Sequence, residues 1–215
     1  MTMSGLLVLA AAATVLATAA VIFNTEVAAQ TLKDWGQCSS GEGKAVDVVI
    51  SACSAVIQAA QDGPKRLAMA FNNRGAAYKS RGDYDRALKD YEQAILLNPN
   101  FASAYNNRGV IYSLRGDYDR AIREYGEAIS LDKQFSSAFY NRALARLAQE
   151  DLGRALDDFG TVLRFNAKNA LALYGRGVAR LKKGDAETGA ADRPLPRRLM
   201  LRSLRNWSAR RRGEG

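Results

Sequence analysis

A chain of 215 residues, 47% of them hydrophobic, is long enough for one modest domain or one array of repeats with a packed core. It has no histidine and two cysteines, which removes the commonest general base and the commonest metal ligand and weighs against an enzyme or a metal centre. The net charge of +9 is local: residues 193–215 hold eight arginines against Glu214, while the rest of the chain carries 23 basic and 21 acidic side chains, so an electrostatic footprint for nucleic acid has to lie in the tail.

Gly5 to Phe23 is an apolar run interrupted only by Thr14 and Thr18, and small residues follow as far as Val27-Ala28-Ala29 before Gln30. This pattern predicts an export signal over residues 1–29, cut near Ala29. No Lys or Arg precedes the run, and its length also suits an uncleaved span of a bilayer. The expected location is the periplasm or the exterior, with anchoring to the inner membrane by residues 5–23 as the alternative.

Cys38 and Cys53 follow that segment. In an oxidising compartment the pair is expected to close a disulfide loop, worth about 3 kcal/mol by chain entropy. Two reduced cysteines, with Cys53 packing as a small hydrophobe, are the alternative. A lone pair with no histidine does not make a zinc site.

Self-similarity at a step of 34 residues is the strongest signal. Phe71-Asn72-Asn73-Arg74-Gly75 returns as Tyr105-Asn106-Asn107-Arg108-Gly109 and Phe139-Tyr140-Asn141-Arg142-Ala143. Gly82-Asp83-Tyr84 returns as Gly116-Asp117-Tyr118 and, more weakly, Glu150-Asp151-Leu152; Ala87-Leu88 returns as Ala121-Ile122 and Ala155-Leu156. Within each unit the apolar and small residues recur at i, i+4 and i+7, which places them on one face of each of two helices. Asp83, Asp117, Asp151 and Asp185 stand where a short acceptor caps the second helix. Gly82, Gly116 and Gly184 stand where the first helix must end.

A fixed period of 34 is the step of the tetratricopeptide repeat, and the chain resembles that family, in the Asn-Asn-Arg-Gly variety common in exported bacterial repeat proteins. The resemblance implies an all-α stack of helix–turn–helix units wound into a superhelix. Units are expected over 68–101, 102–135 and 136–169, with an incomplete fourth over 170–189 and a basic tail over 190–215. Read backwards, the register puts Cys53, Ile57 and Ala60 on the positions of Ala87, Tyr91 and Ala94. Residues 30–67 therefore read as a degenerate capping half-repeat, with its second helix over Ala45–Ala60 and its first shrunk to the stretch around Trp35. Two departures stand out. Where the family has leucine before the small residue, this chain has Arg74, Arg108, Arg142 and Arg176, and an acid recurs in the second helix as Asp90, Glu124 and Asp158. Either each arginine pairs with such an acid, or the two sets form solvated charged faces. The closing proline appears only as Pro99, its later equivalents being Lys133 and Ala167.

By resemblance, the fifth, sixth, ninth and thirteenth residues of each first helix face the concave side. The sixth is Asn73, Asn107 or Asn141, an amide ladder that offers a donor and an acceptor to an extended peptide; Asn72, Asn106, Tyr140 and Tyr174 lie beside it. Routine surface asparagines multiplied by duplication are the plainer reading. The family's clamp for a C-terminal carboxylate needs Lys at the fifth position, where this chain has Asn72. No cofactor, metal or catalytic residue is expected: nucleophile, phosphate-loop and dinucleotide motifs are absent, and Asp85, Asp119 and Glu92 read as solvated faces.

The tail breaks the pattern. Leu173, Arg176, Gly177, Gly184 and Asp185 keep register, but Pro194 and Pro196 forbid a regular helix where the next should run. Residues 193–215 read either as a basic arm for nucleic acid or an anionic membrane surface, or as the product of a reading-frame shift near Ala190 to Asp192. The expected function is a non-catalytic scaffold that binds a protein or extended peptide, with the basic-tail binder as the alternative.

Overall fold

The structure, a computed structural model, describes residues 33–39, 45–59 and 63–192. The expected export segment, Ala60 and the basic tail lie outside the described residues. Among those described there are helices and no strand: α1 (33–39), α2 (Val46–Ala59), α3 (Pro64–Arg81), α4 (Tyr84–Leu97), α5 (Ala102–Leu114), α6 (Tyr118–Leu131), α7 (Ser136–Ala148), α8 (Leu152–Phe165), α9 (Ala170–Lys182) and α10 (Ala186–Ala191).

Each helix boundary has a local cause. Asp83, Asp117, Asp151 and Asp185 cap α4, α6, α8 and α10, their carboxylates accepting the backbone N–H of Arg86, Arg120, Arg154 and Thr188. Just before them the first helix ends in a left-handed residue, with φ of 83° at Gly82, 78° at Gly116 and 94° at Gly184. The N–H of each capping Asp then reaches back to the carbonyl of Tyr78, Tyr112, Arg146 or Arg180, satisfying a C-terminal acceptor. In the third unit Glu150 takes this conformation at φ 66° without the freedom of glycine. The closing proline proves dispensable. Asn98, Asp132 and Asn166 each accept the N–H two residues on, so a side-chain turn separates the units whether or not proline follows.

The helices pack as antiparallel pairs, α3 with α4, α5 with α6 and α7 with α8, and each pair leans on the next through α4–α5, α6–α7 and α8–α9. The first helices α3, α5, α7 and α9 also approach one another in succession, and the second helices make no comparable approach. The first helices therefore line the inside of the curve. Tyr91, Tyr125 and Phe159 are sunk in the core. Gly75 admits Tyr91 and Gly109 admits Tyr125, since a Cβ on either would stand 2.8 Å from the tyrosine ring, and Gly175 admits Phe159 in the same way. Alanines such as Ala87, Ala121 and Ala155, fully buried, let the helix axes close on one another.

Two helices precede the first full pair, and a disulfide joins Cys38 of α1 to Cys53 of α2 with Cα atoms 4.7 Å apart. Both cysteines are fully buried with Val49, Val56 and Ala70. At the other end the structure differs from expectation. The fourth unit does have a second helix, the short α10, which runs two residues past the expected boundary at 189. The register of the repeat holds as far as Asp192.

Candidate partner-binding face

The inner face begins with a hydrogen-bonded relay that crosses the unit boundaries from the N-terminal half-unit to the third unit. Asn107 Nδ2 donates to Asn72 Oδ1 at 2.9 Å, and Asn141 Nδ2 donates to Asn106 Oδ1 at 3.0 Å. Asn73 Nδ2 donates to the backbone carbonyl of Cys38 at 3.1 Å, and Cys38 stands 34 residues before Asn72 in the same register. The sixth residue of one unit thus bonds to the fifth residue of the unit before it. Asn72 and Asn106 are buried at 8% and 7% exposure, as acceptors inside the stack rather than on its surface. Asn73, Asn107 and Asn141 stay half-exposed. Each spends one amide hydrogen on the relay and keeps the other.

Tyr140 and Tyr174 continue the fifth-position row by different means. The Tyr140 ring meets Phe159 edge-on at 5.9 Å, and burial pushes its hydroxyl above the ordinary tyrosine range. The Tyr174 hydroxyl is buried with no hydrogen-bond partner. Gly175 occupies the sixth position of the fourth unit, so the amide relay ends at Asn141.

The recurring arginines pair with the recurring acids. Arg74 meets Asp90, Arg108 meets Glu124 and Arg142 meets Asp158 through two-point contacts of 2.8–3.0 Å, always within one unit. Each guanidinium also lies over the aromatic ring three residues before it, Phe71, Tyr105 or Phe139, at 5.4–5.6 Å. Two-point geometry and burial make these pairs costly to break from one side, toward the 3–5 kcal/mol of about fully buried pairs. Sequence reading missed the fourth member: Arg176 holds Asp192 in the same two-point contact. Its signal was available, because Asp192 stands one step of 34 beyond Asp158. Arg146 and Arg180 add a second guanidinium to Asp158 and Asp192 where the first two units have Tyr78 and Tyr112. These pairs are structural and lie outside the inner rows.

What remains on the inner face is uncharged over the first three units: the amides, then Ala76, Val110 and Leu144 at the ninth position and Ser80, Leu114 and Ala148 at the thirteenth. The Arg74–Asp90 type of pair consumes the nearest charges elsewhere. Among the described residues no group of three or more Cys, Asp or Glu is placed to hold a metal ion, and no helix is long and apolar enough to cross a membrane.

Comparison with known proteins agrees with this architecture. Family models described as tetratricopeptide repeat match residues 68–101, 90–123 and 140–192, and one described as TPR repeat matches 111–150. No curated protein matches the sequence. Among solved structures, a crystal structure of MamA is 20% identical with a TM-score of 0.61 over 68% of this chain and 84% of that one. MamA 41-end from Desulfovibrio magneticus RS-1 is 17% identical with a TM-score of 0.64 over 75% and 88%. The first TPR of Spaghetti (RPAP3), bound to the HSP90 peptide SRMEEVD, is 24% identical with a TM-score of 0.55 over 57% and 96%. At such identities the likeness is one of fold. With the repeat matches running through residues 68–192 and the helix pairs stacked unit on unit, the chain belongs to the tetratricopeptide-repeat family.

Proposed function

We propose that this protein is an exported, non-catalytic scaffold whose inner face binds an extended, uncharged segment of a protein partner. The observation that carries the reading is the row Asn73, Asn107 and Asn141. Each amide is fixed by a bond to the preceding unit and retains one hydrogen; Asn107 and Asn141 also keep their acceptor oxygens, while Asn73 Oδ1 takes a hydrogen bond from Asn72 Nδ2 at 3.3 Å. Fixed amides at the repeat spacing suit a peptide backbone, because they need no reorganisation on binding. The apolar ninth-position row beside them supports contact with alternate side chains.

The partner's charge follows from the same rows. RPAP3 holds a peptide that carries two glutamates and an aspartate. The fifth, sixth, ninth and thirteenth positions of the first three units here carry no lysine or arginine to meet such a peptide. The disulfide in the capping half-unit supports the exported location.

The test is selection of a displayed random-peptide library against the full chain. Uncharged peptides that bind, and that still bind after deletion of residues 193–215, support the proposal. Recovery of acidic peptides alone, or salt-sensitive binding lost with the tail, contradicts it.

A further inference from the structure

The amide relay ends at its N-terminal side on a backbone carbonyl, not a side chain. Beside this contact lies a pocket of about 240 Å³ between α1, α2 and α3. Cys38 and Ser39 form one wall, Val46 and Val49 another, and Asn73 and Ala76 the side that faces the groove. None of the lining residues carries a charge.

The pocket exists because the first unit is abbreviated. Cys38 occupies the register of Asn72, and Cys53 that of Ala87, so the disulfide holds α1 where the first helix of a full unit would stand. α2 begins at Val46, eight residues after Cys38, whereas α4 begins at Tyr84, twelve residues after Asn72. Small residues on α3 and branched ones on α2 leave an uncharged, largely apolar hollow toward the N-terminal end of the first helices.

We infer that this pocket is an anchor subsite that takes one aliphatic side chain, of leucine or valine size, from the bound segment. The inference rests on the peptide-binding reading above. The volume is below the roughly 300 Å³ at which sites for whole small molecules begin, and equals about eight water volumes. It suits one side chain and not a cofactor. An uncharged lining disfavours Asp, Glu, Lys and a chain-terminal carboxylate, because no side chain in it carries an opposite charge. Asn73 stands at the mouth with its remaining amide hydrogen, placed to meet the backbone carbonyl of the residue whose side chain enters.

The subsite can be tested apart from the groove by following backbone amide resonances of the full chain during titration with N-acetyl-leucine methylamide or N-acetyl-aspartate methylamide. The leucine compound is expected to shift Asn73, Ala76, Ala77 and Ser80, and the aspartate compound to leave them in place. Ala76→Leu and, separately, Ser80→Leu, each with unchanged thermal unfolding, are expected to weaken the leucine shifts about tenfold by filling the hollow. Equal shifts with both compounds, no shift at these residues, or full shifts in both folded variants would overturn the inference. Peptides that bind the inner face while the leucine compound leaves these residues still would overturn the anchor subsite alone. Leucine shifts with no peptide recovered from the library would overturn the groove reading and leave the subsite standing.

Discussion

Asn107 reaches across a unit boundary to donate its side-chain amide to Asn72, 2.9 Å away, and Asn72 is the buried member of the pair. Both asparagines of the repeated Asn-Asn-Arg motif therefore join units, one as a buried acceptor and the other as a donor that stays partly exposed. Asn72→Ala should lower stability by about 1–2 kcal/mol, because the Asn107 donor and the buried site both lose a partner. Asn72→Asp keeps an acceptor but buries an unpaired charge and loses the donation from Asn72 Nδ2 to Asn73 Oδ1, so it should lose more. Urea unfolding of the two variants checks the order; equal losses would assign the effect to packing.

Tyr125 and Tyr91 are equivalent in register but not in bonding. Ser113 stands near the Tyr125 hydroxyl and favours its charged form, whereas the Tyr91 hydroxyl is buried without a partner and Lys79 holds the place of that serine. Tyr125→Phe should cost about 1 kcal/mol, and Tyr91→Phe should be neutral or stabilising, since it removes an unsatisfied buried group. A loss at Tyr91 equal to that at Tyr125 in chemical denaturation would contradict this difference.

Glu150 holds a left-handed backbone where Gly82, Gly116 and Gly184 stand in the other units. Its exposed contact with Lys182 at 3.1 Å contributes little. Glu150→Gly should therefore raise stability by about 0.5–1 kcal/mol, and Glu150→Ala should not. Thermal unfolding of the pair separates relief of backbone strain from loss of the ion pair.

Burial holds the Glu124 carboxyl above the usual glutamate range, and the hydrogen bonds from Arg108 offset this only in part. A carboxyl raised by folding binds its proton more tightly in the native chain than in the unfolded one. Its contribution to stability is full below the unfolded value, about 4.3, and is lost as pH rises through the raised native value. The stability of the natural protein relative to Glu124→Gln should thus shrink as pH climbs through that window. Urea midpoints on either side of it measure the change, and a gap that widens with pH would mean that Arg108 outweighs burial.

The period of 34 made the stack, its caps and its aromatic core legible, because each depends on residue type at a repeated place. It did not reveal direction. Equivalent positions are known from a repeat, but which neighbour each side chain meets is not, and so Asn72 and Asn106 read as groove residues beside Asn73 and Asn107. The arginine–acid pairing was open for a similar reason: a separation of 16 residues joins two helices whose relative rotation the pattern leaves free. The pairing at Asp192 was less legible because the repeat pattern breaks immediately after it, at Arg193, Pro194 and Pro196. Even the degenerate half-unit obeys the pairing. Ser40 and Val56 stand where the arginine and the acid would be, so both members of that pair are absent together.

The outward amides remain the centre of the account, and their own side-chain resonances report on them most directly. On addition of a library-selected peptide to the full chain, the Nδ2 signals of Asn73, Asn107 and Asn141 should move together while those of buried Asn72 and Asn106 move far less. A peptide that binds and leaves all three outward amides unmoved would contradict the ladder as the binding surface.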